Sequence, residues 1–274
     1  MNTKKEKITI IGAGNIGMAI AKGLANSKNY QPKDIILTRR HLHLLDDFKK
    51  KGFAVTDNNC KAVKESNIII IAVEPQQLNS LLTEISNSIN IKQHLIISVV
   101  SGASVKQIKE KIGKNVTVIR AMPNTAIAVG ESMTCIAALK ANNSSIQKAK
   151  KIFETVGKCM VIEEEQMTAA TALGACGIAF FLRAIRAASQ GGIEIGFRSD
   201  VALTIAAQTA KGAATIMLNS ERHPEFEIDK VTTPRGCTIS GLNHMEHEGF
   251  SSAMIKGITV SAEKAAKLYQ TNND

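Results

Sequence analysis

The hydrophobic positions of residues 7–162 fall into short, nearly continuous apolar runs that alternate with amphipathic segments. Short apolar runs rich in β-branched residues are typical of strands buried on both faces of a parallel sheet, and the amphipathic segments have helical spacing. This alternation predicts a doubly wound α/β domain. The predicted strands are Ile8–Ile11, Ile35–Thr38, Ile68–Val73, Leu95–Val99 and Val116–Ala121, and the predicted helices are Asn15–Ser27, His41–Lys51, Gln76–Asn87, Ser104–Ile112 and Ile146–Val156.

From residue 163 onward the pattern changes to long helical stretches, without any strand pattern. The predicted helices are Thr168–Ile195, Asp200–Leu218 and, approximately, Ser251–Tyr269. A small bundle buries such wide apolar faces only in part, so we expect this segment to dimerise. The sequence therefore predicts an α/β domain over residues 1–162 and an all-helical dimerisation domain over residues 163–274.

Composition and charge narrow the classes of partner. The net charge is +10, but the basic residues are dispersed, which favours a solvated basic surface over a nucleic-acid site. The five cysteines are scattered without a C-x-x-C pair, which is typical of a cytoplasmic protein. We expect no membrane span, because no run of about 18 uncharged apolar residues occurs. His244 and His247 lack a third ligand, so no metal site is predicted.

A glycine motif links the first predicted strand to the first predicted helix. Gly12, Gly14 and Gly17 form a G-x-G-x-x-G pattern in the context typical of dinucleotide binding. The first glycine permits a tight turn, the second a close approach of a pyrophosphate, and the third close packing of helix on strand. The backbone N–H groups of Asn15 and Ile16 are placed to bind phosphate oxygens. Residues 1–162 are therefore interpreted as a dinucleotide-binding domain.

The end of the second predicted strand indicates which dinucleotide is bound. NAD binders carry an acidic residue there for the ribose 2′-hydroxyl, whereas this chain has Thr38, Arg39 and Arg40. Guanidinium groups attract a 2′-phosphate, and a carboxylate would repel it. The sequence thus predicts NADP(H), with NAD(H) as the weaker alternative. Two solvated arginines at a strand end are the structural alternative.

A second candidate site lies in the helical half. Residues 232–241 read Thr-Thr-Pro-Arg-Gly-Cys-Thr-Ile-Ser-Gly. Hydroxyls and free N–H groups just before a helix can hold a carboxylate. An ordinary turn with a helix cap explains the same residues. The loop's residue types alone leave both interpretations open.

Four separated stretches of the chain resemble the Δ1-pyrroline-5-carboxylate reductase family, and the resemblance covers about residues 7–268. The stretch from Asp229 to Phe250 is the most specific, because it contains what looks like the family signature. The matching stretches are Ile10–Gly17, Ala72–Gln76, Arg120–Thr125 and Asp229–Phe250.

The resemblance implies a Rossmann-type NAD(P) domain, a helical dimerisation and substrate domain, and a homodimer that often assembles into rings. It implies a site between the cofactor of one subunit and the C-terminal helices of the dimer. The implied substrate contacts are Glu164, Thr233, Gly236, Cys237 and Thr238, with Thr238 on the ring nitrogen as the catalytic residue. The implied cofactor contacts are Gly12, Gly14, Asn15, Ile16, Gly17, Thr38, Arg39, Arg40, Asn59, Ala72, Val73, Pro75 and Ser101, with Met122 and Asn124 near the nicotinamide.

The implied reaction is reduction of the cyclic imine to L-proline, the last step of proline biosynthesis. Such an oxidoreductase needs chiefly to position the nicotinamide and the imine and to exclude water. Three residues depart from the family pattern. Glu74 stands where lysine is usual and either weakens the field at the phosphates or faces solvent. Ile178 replaces a proline, and Arg235 replaces a glycine, so we expect a changed helix bend and a different turn.

Two other interpretations remain open. One is a related reductase of the same plan that acts on another imine or on a β-hydroxyacid. The β-hydroxyacid enzymes use a lysine on a helix whose equivalent here, Thr168–Ile195, contains none. The other is a protein that senses NADP without catalysis, an interpretation supported only by the three departures.

Overall fold

A single twisted sheet forms the centre of the first half of the chain. The structure is a computed structural model that describes residues 6–113, 115–139 and 141–268. The strands are β1 Ile8–Ile11, β2 Ile35–Thr38, β3 Ala54–Thr56, β4 Ile68–Ile71, β5 Leu95–Ser98, β6 Thr117–Met122, β7 Ser132–Ala137 and β8 Gly157–Val161. Their spatial order is β3-β2-β1-β4-β5-β6-β7-β8, and all neighbours are parallel except β6 and β7. The predicted Rossmann-type sheet is confirmed.

Helices connect the strands and then continue alone. Those of the first half are α1 Asn15–Asn26, α2 Asp46–Lys50, α3 Asn59–Lys64, α4 Pro75–Ile85, α5 Val105–Ile112 and α6 Asn143–Glu154. A long helix follows β8 and consists of α7 Met167–Ala170, a π-helical segment Thr171–Cys176 and α8 Gly177–Glu194. The remaining helices are α9 Ser199–Asn219, α10 Pro224–Val231, α11 Cys237–His247 and α12 Phe250–Ala265.

The apolar core lies on both faces of the sheet. Side chains alternate along a strand, so Ile68 and Ile70 pack in one cluster, with helix α1, and Ile69 and Ile71 pack in the other, with α4 and α5. All four are essentially inaccessible to solvent. This double burial explains why the strand sequence is a continuous apolar run.

The chain divides into two compact units. One consists of residues 6–176 together with 261–268, and the other is Gly177–Val260. The domain boundary after residue 162 stays a prediction, since the helical turns up to Cys176 belong to the unit that contains the sheet.

The structure contains elements that the apolar pattern did not predict. Strand β3 lies at the sheet edge and is largely accessible, and β8 at the other edge carries accessible side chains at Met160 and Val161. Edge strands lack the continuous burial that produces an apolar run. The predicted three C-terminal helices are also too few, because α10 and α11 are separate helices.

Helices of the second half leave many large apolar side chains accessible. Examples are Phe181, Leu182, Leu203 and Leu218, each at least half exposed. Two helices, Glu164–Glu194 and Ser199–Asn219, are long and apolar enough to cross a membrane by length and composition alone. The sequence criterion required a run of about 18 uncharged apolar residues. It was too strict, because it missed these two candidate spans. The same apolar surface suits contact with a second protein chain.

A buried histidine predicts how stability depends on pH. His94 is 6% exposed, and its Nδ1 accepts a hydrogen bond from the Asn90 N–H at 3.1 Å. Burial lowers the pKa of His94 below its usual value, against a smaller opposing effect of its hydrogen bond to the Ser66 backbone. Because the folded-state pKa lies below the unfolded one, neutral His94 stabilises the fold above a pH of about 6.5, and this contribution is lost as the pH falls.

We expect the urea midpoint of His94→Gln to vary less between pH 7 and 5 than that of the parent protein. The matched control is His41→Gln, which alters an exposed histidine. Equal pH slopes in the parent and His94→Gln would contradict this assignment.

Candidate cofactor and substrate site

Strand order places a crevice beside β1. Strand β1 pairs with β2 on one side and β4 on the other, so chain connections leave in opposite directions at this point. Dinucleotides bind in such crevices outside the carboxyl ends of the strands. The loops that follow β1, β2 and β4 carry the predicted residues Gly12–Gly17, Thr38–Arg40 and Ala72–Pro75.

The glycine loop has the geometry that its spacing predicts. Gly12 has φ +94°, and a Cβ there would lie 2.6 Å from the Ala72 carbonyl oxygen. A Cβ on Gly17 would overlap the Gly12 carbonyl oxygen. At Gly14, by contrast, a Cβ would have no atom of the described residues within 4 Å, apart from those of its two chain neighbours. Gly14, the second glycine of the motif, thus faces open space.

The same open space lies at the start of α1. Gly14 is the residue before the helix, and no side chain caps the first-turn N–H groups. N–H groups of Asn15 and Ile16 in the first helical turn lack partners within their own helix and favour an anion there. The residues present therefore fit the pyrophosphate of a dinucleotide.

Positive charge borders this loop. The Arg39 Nη1 atom donates to the Ala13 carbonyl at 2.9 Å, and the Gly12 and Ala13 N–H groups donate to the Thr38 carbonyl at 3.3 and 3.0 Å. Arg39 is half-buried and Arg40 is exposed. Both guanidinium groups follow β2, the strand whose end contacts the cofactor ribose in dinucleotide-binding domains, so they fit a 2′-phosphate.

The loop after β4 contains Glu74, one of the three departures from the family pattern. Glu74 is exposed and accepts a hydrogen bond from Gln76 at 3.3 Å, so its carboxylate faces solvent. Pro75 begins α4, while Ala72 and Val73 pack against Gly12. The Asn59 side chain donates to Glu84 at 3.1 Å. A cofactor contact of Asn59 stays a prediction.

The turn after β6 is fixed from within the protein. Met122 is buried in a small cluster with Ala137 and Met167. Asn124 is 9% exposed, and its Oδ1 accepts from the Ala126 N–H at 3.1 Å while its Nδ2 donates to the Gly174 carbonyl at 3.0 Å. Ser101 is half-buried in the turn after β5. Their cofactor contacts stay predictions.

Glu164 lies in a buried ionic contact. Its Oε1 accepts from the Val105 N–H at 2.7 Å and lies 3.4 Å from Arg120 Nη1. The Glu164 and Arg120 side chains are 11% and 8% exposed. Burial lowers the pKa of the Arg120 guanidinium, and Glu164 opposes that shift. Since this carboxylate already has two protein partners, its predicted contact with a substrate stays a prediction.

The candidate substrate loop precedes α11. The Gly236 N–H donates to the Thr233 carbonyl at 2.8 Å, and a Cβ on Gly236 would overlap the Thr233 hydroxyl. Helix α11 begins at Cys237 without a side-chain cap, and Thr233, Cys237 and Thr238 are exposed. The loop therefore presents hydroxyls and uncapped N–H groups to solvent, as a carboxylate site requires.

Arg235 keeps a backbone conformation that favours glycine. Its φ is +60°, so the arginine adopts the positive φ that glycine tolerates best, and a turn type different from that of the family stays a prediction. A non-glycine residue in this region costs about 1 kcal/mol or more, which the surrounding loop must offset.

The structure gathers the cofactor residues that follow β1, β2 and β4 around one crevice in the first unit. The substrate loop belongs to the second unit. Sequence patterns missed the contacts Asn124–Gly174 and Arg120–Glu164, because each joins residues more than 40 positions apart. Within residues 6–113, 115–139 and 141–268 there is no group of three or more candidate metal ligands.

Two protein families match this chain, one in its first half and one in its second half. Residues 7–102 match the family described as NADP oxidoreductase coenzyme F420-dependent. Residues 164–268 match the family described as pyrroline-5-carboxylate reductase dimerisation.

Individual relatives extend over nearly the whole chain. Pyrroline-5-carboxylate reductase 2 of Dictyostelium discoideum is 46% identical, and the match covers 96% of this chain and 93% of the relative. The reductase of Methanosarcina acetivorans is 34% identical, with coverage of 97% and 98%. Pyrroline-5-carboxylate reductase 1 of D. discoideum is 53% identical over 96% of this chain, but the chain spans only about half (50%) of that relative.

Solved structures have the same fold. A pyrroline-5-carboxylate reductase from Coxiella burnetii superposes with a TM-score of 0.86 at 28% identity, covering 98% of this chain and 100% of that chain. A Plasmodium falciparum pyrroline carboxylate reductase with NADP bound gives a TM-score of 0.88 at 24% identity, with coverage of 97% and 99%.

Proposed function

Since the chain belongs to the pyrroline-5-carboxylate reductase family, we propose that it reduces Δ1-pyrroline-5-carboxylate to L-proline with NADPH. The single observation that carries the proposal is that this member of the family has an intact glycine loop. In that loop Gly14 faces open space next to the uncapped start of α1. A protein that had this fold but bound no dinucleotide would not require open space at Gly14.

The first unit would hold the dinucleotide. First-turn N–H groups of α1 would bind the pyrophosphate, and Arg39 and Arg40 would bind the 2′-phosphate. Arg39 is already positioned by its bond to Ala13, so it loses little side-chain freedom on binding. NADP(H) is therefore the proposed cofactor, and NAD(H) is the weaker alternative.

Residues 233–238 would hold the substrate. The uncapped N–H groups at the start of α11 and the Thr233 hydroxyl would bind the carboxylate, and the Thr238 hydroxyl would orient the ring nitrogen. NADPH, when bound, supplies a hydride to the imine carbon. An iminium is already electrophilic, so these residues chiefly orient it and exclude water. Thr238 is the proposed catalytic residue.

The proposed assembly is a homodimer, or a ring of such dimers, in the cytoplasm. The accessible apolar side chains of α8, α9 and α12 lie within residues 164–268, the segment that matches a dimerisation family. Small-molecule substrate and self-association are the expected interactions, and we propose no nucleic-acid or membrane partner.

Loss of nicotinamide absorbance with NADPH and pyrroline-5-carboxylate tests this function. We expect efficient turnover with NADPH and weaker turnover with NADH. Tight NADPH binding without turnover would favour an NADP sensor, and turnover only with other imines or with β-hydroxyacids would favour a related reductase. Equal efficiency with NADH would contradict the role of the arginines.

Thr238→Val tests the proposed catalytic hydroxyl. We expect kcat/KM to fall roughly tenfold to a hundredfold, the effect of one hydrogen bond to a charged group. Thr238→Ser keeps the hydroxyl and is the matched control, in which most activity should remain. An unchanged rate in Thr238→Val would remove this assignment.

A further inference from the structure

The Asn124 side chain joins the turn after β6 to the π-helical segment of the long helix. Its Nδ2 donates to the Gly174 carbonyl at 3.0 Å, across 50 positions of sequence. The same amide accepts from the Ala126 N–H through Oδ1, so both ends of the amide are used within the protein. Only one orientation of the amide satisfies both bonds, which fixes the direction of the side chain.

The carbonyl that accepts this bond lies in an unusual segment. Thr171–Cys176 is π-helical, with hydrogen bonds between residues five apart in place of four. The extra residue in such a turn allows a carbonyl to accept a hydrogen bond from outside the helix. π-Helical turns are also frequent at functional sites.

Neighbouring contacts fix the same turn against the long helix and against β7. Met122, two residues before Asn124, packs with the fully buried Met167 and the partly buried Ala175. The Asn124 N–H donates to the Ser132 hydroxyl at 3.2 Å. Backbone, side chain and apolar packing therefore fix the turn at 122–124 on several sides.

We propose that Asn124 is a positioning residue for hydride transfer, whose side chain acts through the Gly174 carbonyl and not through a contact with the cofactor. This inference rests on the proposed function and on the prediction that the 122–124 turn lies near the nicotinamide. A turn held at a fixed distance from the long helix keeps the reacting ring in place. Loosening it lowers the rate of the chemical step more than the affinity for NADPH, because misplacement by about 1 Å costs up to a hundredfold in rate.

Asn124→Asp isolates the Gly174 bond. Aspartate keeps the oxygen that accepts from Ala126 but presents a second oxygen to the Gly174 carbonyl, so that bond is lost. Asn142→Asp is the matched control, because Asn142 caps α6 through its Oδ1 in the same way and its side chain is exposed. Asn124→Ser, which also caps but cannot reach Gly174, replaces Asn124→Asp if the latter does not fold.

Three measurements test the proposal. In turnover assays we expect Asn124→Asp to lower kcat about tenfold or more while the NADPH Kd, measured by nicotinamide fluorescence, changes less than about threefold. In hydrogen–deuterium exchange without ligand, amides of residues 125–129 and 171–176 should exchange faster than in the parent protein. Asn142→Asp should change none of these quantities.

Three results would overturn the inference: unchanged exchange in residues 171–176, an unchanged kcat, or an NADPH Kd that rises in proportion to the loss of activity. The last would make Asn124 a cofactor-binding residue. An inactive parent protein would defeat the proposed function, and the exchange measurement would still decide whether Asn124 fixes the two segments.

Discussion

Gly14→Ala should leave the fold intact and remove NADPH binding, whereas Gly17→Ala should damage the fold itself. Apart from its two chain neighbours, an added methyl at Gly14 meets no atom of the described residues within 4 Å, and φ is −84°, which alanine adopts freely. The stability change should therefore stay within about 1 kcal/mol. The methyl would occupy the space through which a pyrophosphate approaches the α1 N–H groups, so we expect the NADPH Kd to rise about a hundredfold or more.

Gly17 gives the opposite expectation from the same substitution. It lies inside α1, where alanine is intrinsically favoured over glycine by about 1 kcal/mol. An added methyl would nevertheless overlap the Gly12 carbonyl oxygen, a backbone atom that cannot rotate away. We expect a loss of about 3 kcal/mol or more of unfolding free energy.

Denaturant unfolding and nicotinamide fluorescence measure the two effects separately. Each variant is the other's control, because both add one methyl to the same loop. Normal NADPH affinity in Gly14→Ala would show that the open space is not the pyrophosphate site. A fully stable Gly17→Ala would mean that α1 does not pack on β1 as closely as the structure has it.

Much of this site could be predicted because its determinants are local. The glycine spacing, the preceding strand and the arginines after β2 all lie within residues 8–40. Continuous isoleucine at 68–71 reports burial on both faces of the sheet, so β4 was readily predicted. The loop at 233–238 was identified by its resemblance to the family, since its residue types alone fit an ordinary turn equally well.

The remaining features depend on contacts between distant segments. The π-helical turn at 171–176 has no local sequence signature, and its Gly174 carbonyl acquires meaning only when Asn124 is brought beside it. The pairing of Glu164 with Arg120 likewise depends on tertiary packing, while the contact of Glu164 with substrate stays a prediction. Arg235 shows a related limit, because propensity argues against positive φ while the loop enforces it.

The second large effect should come from charge placed on the apolar surface of α9. Ile205 and Ile216 are 47% and 52% exposed, although both are aliphatic side chains in the segment that matches a dimerisation family. They are separated by about three helical turns, so they lie on the same face of α9. In a two-fold dimer each substitution occurs twice in the assembly. Ile205→Glu together with Ile216→Glu would place four carboxylates on the proposed dimer surface, and each buried without a partner costs several kcal/mol.

We expect this double variant to elute as a monomer or to aggregate, and to lose most of its reductase activity because the 233–238 loop belongs to the same helical unit. Size-exclusion chromatography with light scattering, without detergent, measures the mass of the assembly. Ile91→Glu is the matched control, since Ile91 is 50% exposed but lies in the sheet-containing unit. A double variant with the parent's mass and activity would place the subunit contact elsewhere, and a parent protein that requires detergent would favour a membrane as the partner of these helices.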